Sequence, residues 1–140
     1  MTIGEEHLQT PYSSLAKALT LIDKYGENIL LRHQSDWING WFLKDWTYGE
    51  EGNNLKLGWD LIKESWPKSY LNSSFQKCLP QIIKSGKIMG QIDSELAEKL
   101  ILNKDILVTS GTTDSNAAFL AAGLDEEEGL TVLGLSLIHI

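Results

Sequence analysis

Ile106-Leu-Val-Thr-Ser-Gly-Thr-Thr-Asp-Ser-Asn-Ala-Ala-Phe-Leu-Ala-Ala-Gly123 is the stretch that decides the fold. Its first four residues are apolar or β-branched and predict a buried strand, Ile106–Thr109. Small polar residues follow, and then a small-residue helix opening at Asp114 and closed by Gly123. A strand that runs through a short polar loop into a helix is the unit from which α/β sheets are built, and such sheets bind ligands at the carboxyl ends of their strands. Asp114 stands at that edge. The positive end of a helix favours its carboxylate and can also turn N–H groups toward a phosphate. Gly111 lets backbone approach a ligand closely. The pattern alone admits a plainer reading, in which Asp114 only helps to start the helix.

Outward from this stretch the chain is helix-rich. Pro11 and the serines after it suit a helix entry, and Leu15, Ala18, Leu19 and Ile22 make one apolar stripe, so a helix is expected over 11–25, ended by Gly26. A second helix is expected over 28–46, bent at Gly40. Thr47–Asn54 reads as a loop and Asn54–Lys63 as a short helix closed by Trp66-Pro67. Leu79–Lys87 reads as loop or extended chain, Ile88–Ile92 as a short strand or turn, and Ser94 as the cap of a helix over 95–102. Asp125–Gly129 reads as an acidic turn, and Thr131-Val-Leu133 starts another strand. Two or three strands among so many helices leave backbone groups in need of partners, which points to a part of a larger unit.

Composition narrows the function. Of the 140 residues, 42% are hydrophobic, enough for a core, and 22% are charged. A net charge of −7 argues against a nucleic-acid surface, which needs clustered Lys and Arg, and against an anionic membrane. It does not argue against ATP, whose phosphates are held by local N–H groups, a metal ion and one or two cations. Cys78 is the single cysteine, so neither an internal disulfide nor a cysteine-based metal site is expected. The first residues lack the basic and apolar blocks of a signal peptide, and no apolar run reaches the roughly 20 residues of a membrane helix. A cytoplasmic location is expected, or a plastid one if a transit peptide precedes the chain.

Several blocks, in order, resemble the FGGY family of carbohydrate kinases. Val108–Gly123 followed by Thr131-Val-Leu-Gly134 is similar to the end of that family's first domain. Tyr12-Ser-Ser-Leu-Ala-Lys17, His33-Gln-Ser-Asp-Trp37, Asn53-Asn-Leu-Lys-Leu-Gly-Trp-Asp60, and Gly86-Lys-Ile-Met-Gly90 with Leu96-Ala97 resemble earlier family segments. Within the family, the likeness is to the plant and cyanobacterial D-ribulose kinase (xylulokinase-like) group. The resemblance implies a partial actin-like (ribonuclease-H-like) α/β fold, the helix-rich second half of the N-terminal domain, over 1–129. It implies the start of the C-terminal domain at 130–134. It also implies ATP with Mg2+ and a small sugar, a pentulose such as D-ribulose or D-xylulose, as reactants. Asp114 matches the base that takes the sugar hydroxyl's proton and binds the sugar. Ser115 is placed beside the sugar by position. Gly111, Thr112 and Thr113 match the loop near the transferred phosphate, and Gly134 matches the first residue of a second phosphate loop.

The family pattern breaks at Leu135-Ser-Leu-Ile-His-Ile140, the peptide encoded by CTG TCT CTT ATA CAC ATC, a transposon-adapter end. Residues 135–140 are therefore expected to be non-native, a reading that the same hexapeptide in genomic DNA would overturn. The family's first phosphate loop and early sugar-binding segment are expected upstream of Met1, and the chain alone is expected to be inactive. The rival class is a non-catalytic, actin-like-fold binding or regulatory protein, since fold does not fix function.

Other candidates have plainer readings. Trp37, Trp41, Trp46, Trp59 and Trp66 offer a sugar platform but read as helix packing, with Trp37 and Trp41 one turn apart. Asp36 reads as a hydrogen-bond partner on a helix face and His33 as a structural histidine. Glu50, Glu51 and Asn53 lack the alternating spacing of a calcium loop. No metal ligand is assigned.

Overall fold

The computed structural model describes residues 13–71, 73–123, 125, 127 and 129. Helix α1 (Ser14–Tyr25) starts where the Ser13 hydroxyl accepts from the Ala16 N–H, and it ends at Gly26, whose φ of 78° lies in the left-handed region. Pro11 and the expected start of this helix lie outside the described residues. Helix α2 (Gln34–Leu43) is shorter at both ends than its apolar content suggests. At its start the chain is held extended, with the Leu31 N–H donating to the Cys78 carbonyl at 2.8 Å. The Arg32 guanidinium meanwhile donates to the carbonyls of Leu31, Trp46 and Cys78 at 2.7, 2.5 and 3.0 Å. At its end Lys44 adopts a φ of 56°, a left-handed stop made without the glycine that usually signals one.

Thr47–Asn54 is structured rather than loop. It holds strand β1 (Tyr48–Glu50) and the helical turn α3 (Glu51–Asn54). The Glu50 side chain makes the turn, accepting from the N–H groups of Gly52 and Asn53, each at 2.8 Å. The expected helix over Asn54–Lys63 is only a 3-10 turn, Leu55–Leu57, stopped by Gly58 at a φ of 111°. Beyond it the chain reverses within a bridge between Asp60 and Ser65. A short helix α4 (Lys68–Leu71) and a 3-10 turn (Ser74–Cys78) lead to β2 (Gln81–Ile83). Then follow β3 (Ile88–Gln91), α5 (Ser94–Lys99), β4 (Leu107–Thr109) and α6 (Asp114–Ala122). The cap of α5 is Asp93, accepting from the Leu96 N–H at 2.9 Å, rather than Ser94.

The described strands form two pairs. β1 and β2 run parallel with Gly49 opposite Ile82; β3 and β4 run antiparallel with Gly90 opposite Val108 and a bulge after Ile88. One apolar cluster gathers Ala18, Leu31, Leu57, Phe75 and Cys78 under α1, with Trp66 and Tyr70 packed on it. Burying each large side chain of this kind contributes about 1.5–3 kcal/mol. Edge-to-face contacts of Trp59 with Trp66 and of Tyr70 with Phe75, at centroid distances of 5.3 and 4.9 Å, extend it. A second cluster joins Ile92, Ala97 and Val108 with Phe42 and Leu43 of α2. The aromatic residues therefore divide. Trp66 serves the core, as expected, whereas Trp37 and Trp41 of α2 are exposed. No described helix is long and apolar enough to cross a membrane.

Candidate functional site

β4 is less buried than its composition suggests. Val108 alone is buried, between two exposed neighbours, because the strand has a partner on one side only among the described residues. Ser110, the residue after it, is buried and tightly held. Its Oγ donates to the Lys84 carbonyl at 2.6 Å and accepts from the Lys87 N–H at 3.0 Å. Its own N–H donates to the Lys87 carbonyl at 2.8 Å, and its carbonyl accepts from the Gly86 N–H at 3.0 Å. The loop thus leaves the strand from a fixed point.

Gly111 is exposed, and a methyl group added to it would meet nothing within 4 Å. Thr112 and Thr113 are half-buried. The Thr113 hydroxyl caps α6, accepting from the Asn116 N–H, and Thr112 Oγ1 accepts from Asn116 Nδ2 at 3.2 Å. With the cap supplied by Thr113, the plainer reading of Asp114 as the cap is not needed. Asp114 is the first helical residue, exposed, with Oδ1 accepting from the Ser115 N–H at 2.8 Å. Ser115 is exposed beside it. The structure therefore gathers Gly111, Thr112, Thr113, Asp114 and Ser115 on one open loop and helix start. Gly134 lies outside the described residues.

Behind the loop lies a buried polar cluster that sequence reasoning did not assemble. Asp36 and Glu50 are each 1% exposed and Asn54 is fully buried. Asp36 accepts from the Glu50 N–H at 2.9 Å and from Asn54 Nδ2 at 3.1 Å. Asn54 Nδ2 also donates to the Glu50 carbonyl at 2.8 Å. Burial pushes the Asp36 carboxyl up, against the two hydrogen bonds that favour its charge. The Asp36 expectation holds, but as an interior anchor rather than a helix-face partner. The signal for Glu50 was a Glu two residues before Gly52 and three before Asn53, whose N–H groups it caps. Glu50, Glu51 and Asn53 serve as capping and turn groups, and among the described residues no three His, Cys, Asp or Glu side chains gather to hold a metal ion. A groove of about 630 Å³ lies elsewhere, between α1 and residues 29–34; none of the residues lining it comes from the Ile106–Gly123 stretch.

No protein-family model matches the chain. It is 33% identical over 104 residues to a xylulose kinase of Lactococcus lactis, covering 71% of this chain and 20% of that protein. It is 30% identical over 115 residues to a ribulokinase of Staphylococcus aureus, covering 75% of this chain and 21% of that protein. The chain thus spans about a fifth of the length of the curated relatives it matches. The structure overlays that of a ligand-bound xylulose kinase from Lactobacillus acidophilus with a TM-score of 0.67 at 18% identity, over 81% of this chain and 24% of that one. The expected fold, part of an actin-like α/β domain, is borne out, and so is the resemblance: at modest identity and over a segment, the chain is homologous to FGGY-type sugar kinases.

Proposed function

We propose that this chain is the part of an ATP-dependent sugar kinase that carries the catalytic base, Asp114, and that the sugar is a pentulose such as D-ribulose or D-xylulose. The observation that carries the reading is the exposed Asp114 carboxylate at the start of α6, on a loop anchored at Ser110 and capped by Thr113. Phosphoryl transfer asks the protein mainly for positioning and charge stabilisation, with a carboxylate orienting the attacking hydroxyl. Asp114 accepts the proton of the sugar hydroxyl, and Ser115 lies beside the sugar. The backbone of Gly111, Thr112 and Thr113 borders the transferred phosphate, with Gly134 in the phosphate loop of the second domain. ATP, when bound with Mg2+, supplies the phosphoryl group and the neutralising charge.

In this reading, residues 1–129 are the later part of the first domain and 130–134 open the second. The 140-residue chain by itself does not turn over. Its limited span of the relatives and the lack of any buried residue in α6 support this. The test is Asp114→Asn in the longer kinase. Loss of at least about 100-fold in kcat is expected for a missing general base, with sugar and ATP binding kept. Unchanged turnover would reject Asp114 as the base. Binding without turnover in the unaltered kinase would instead favour the non-catalytic reading. Steady ATP-dependent phosphorylation by the 140-residue chain would refute its inactivity.

A further inference from the structure

The site loop is not held by its own strand alone. Ser110 is clamped to the turn Lys84–Lys87 by its hydroxyl, its N–H and its carbonyl. That turn is in turn tied to the buried cluster. Ser85 Oγ donates to Glu50 Oε1 at 2.5 Å, and the Ser85 N–H donates to Glu51 Oε1 at 3.1 Å. Among the described residues the Glu50 carboxylate accepts four hydrogen bonds: from the N–H groups of Gly52 and Asn53, Asn53 Nδ2 and the Ser85 hydroxyl. A carboxylate saturated this way is locked in one rotamer, and its backbone is fixed by Asp36 through the Glu50 N–H. The far end of the loop meets α3, since a methyl group on Gly52 would lie 3.6 Å from Asn116 Nδ2, the group that donates to Thr112.

We propose that Glu50 and Ser85 are positioning residues for Asp114. The path runs from Asp36 to Glu50, to Ser85 and its turn, and then to Ser110, fixing where the loop delivers the carboxylate. The inference rests on the reading of Asp114 as the base. Glu50 is 1% exposed, and both residues act through the loop. Their contribution is geometric, and displacement of a reacting group by about 1 Å can cost roughly 100-fold in rate.

The gentlest break is Ser85→Ala, which removes one hydroxyl from an exposed turn and leaves Glu50 capping α3. Two readouts test it. In the 140-residue chain, hydrogen exchange at the Gly86, Lys87 and Ser110 amides is expected to accelerate at least about 10-fold, with α1 unaffected. In the longer kinase, kcat is expected to fall about 10-fold or more while KM for sugar and ATP stays within about two-fold. Ser85→Thr, which keeps the hydroxyl, should restore both. Unchanged exchange breaks the structural path and overturns the proposal. Accelerated exchange with unchanged kcat, in a kinase that Asp114→Asn inactivates, overturns the positioning role while leaving the base in place. Full turnover by Asp114→Asn removes the base itself, and the proposal falls with it.

Discussion

His33 and Asp36 stand one turn apart at the entry to α2, and burial acts on them in opposite senses. Burial lowers the pKa of His33, with nearby Lys56 adding to the effect and Glu50 opposing it. A histidine that binds protons more weakly when folded leaves stability intact above its unfolded pKa of 6.5. Stability is then lost as pH falls below that value toward the folded one. The melting temperature should therefore drop between about pH 7 and about pH 5, and His33→Gln should flatten that limb. Equal slopes in the two proteins would show that His33 is not the group responsible. Asp36, raised by burial, contributes fully below its unfolded pKa and loses that contribution as pH rises through the folded value, so it opposes His33 at the acid end. Removing its side chain is a different matter. Asp36→Ala strands the buried Glu50 N–H and one bond of Asn54, which should cost about 2–4 kcal/mol in urea unfolding. A cost near zero would mean that water replaces the carboxylate without penalty.

α2 shows what an element needs beyond its own sequence. Gly40 suggests a bend, yet its role is contact: a Cβ there would fall 2.3 Å from Cδ1 of Trp46. Alanine is the better helix former by about 1 kcal/mol. Gly40→Ala should nevertheless destabilise the chain by about 1–3 kcal/mol, because the indole must leave its seat and its bond to the Trp37 carbonyl. Adding Trp46→Leu should recover most of the loss; a Gly40→Ala variant as stable as the parent would show that the ring moves freely. Where local signals were complete, the sequence was legible. Gly26 and Gly123 marked two helix ends, and the run Ile106–Thr109 followed by Asp114 marked β4, the site loop and α6. What was not legible depended on distant partners. Residues 28–33 are apolar enough for helix, but Leu31 and Arg32 are tied to the Cys78 carbonyl instead. The polar stretch Thr47–Asn54 reads as loop until Ile82 and the Glu50 cap organise it. The path from Glu50 to Ser110 spans separations that no motif spacing reveals.

At the scale of the whole molecule, the unevenness of burial is the main feature. α1 packs on a core, whereas α6 has no buried residue, with Phe119 and Leu120 48% and 72% exposed. Helices this short draw most of their stability from tertiary packing. Among the three described helices of nine or more residues, α6 should thus exchange its amide hydrogens fastest in the 140-residue chain. Protection of α6 equal to that of α1 would reveal a covering surface. The opposite extreme is Cys78, fully buried at the centre of the first cluster, its thiol pushed up in pKa by burial and donating to the Glu27 carbonyl. It is the chain's single sulfhydryl, so an alkylating reagent has one target and reaches it only in molecules whose core has parted. Mass gained per minute then becomes a clock for core opening, read on the unaltered chain with no engineered probe.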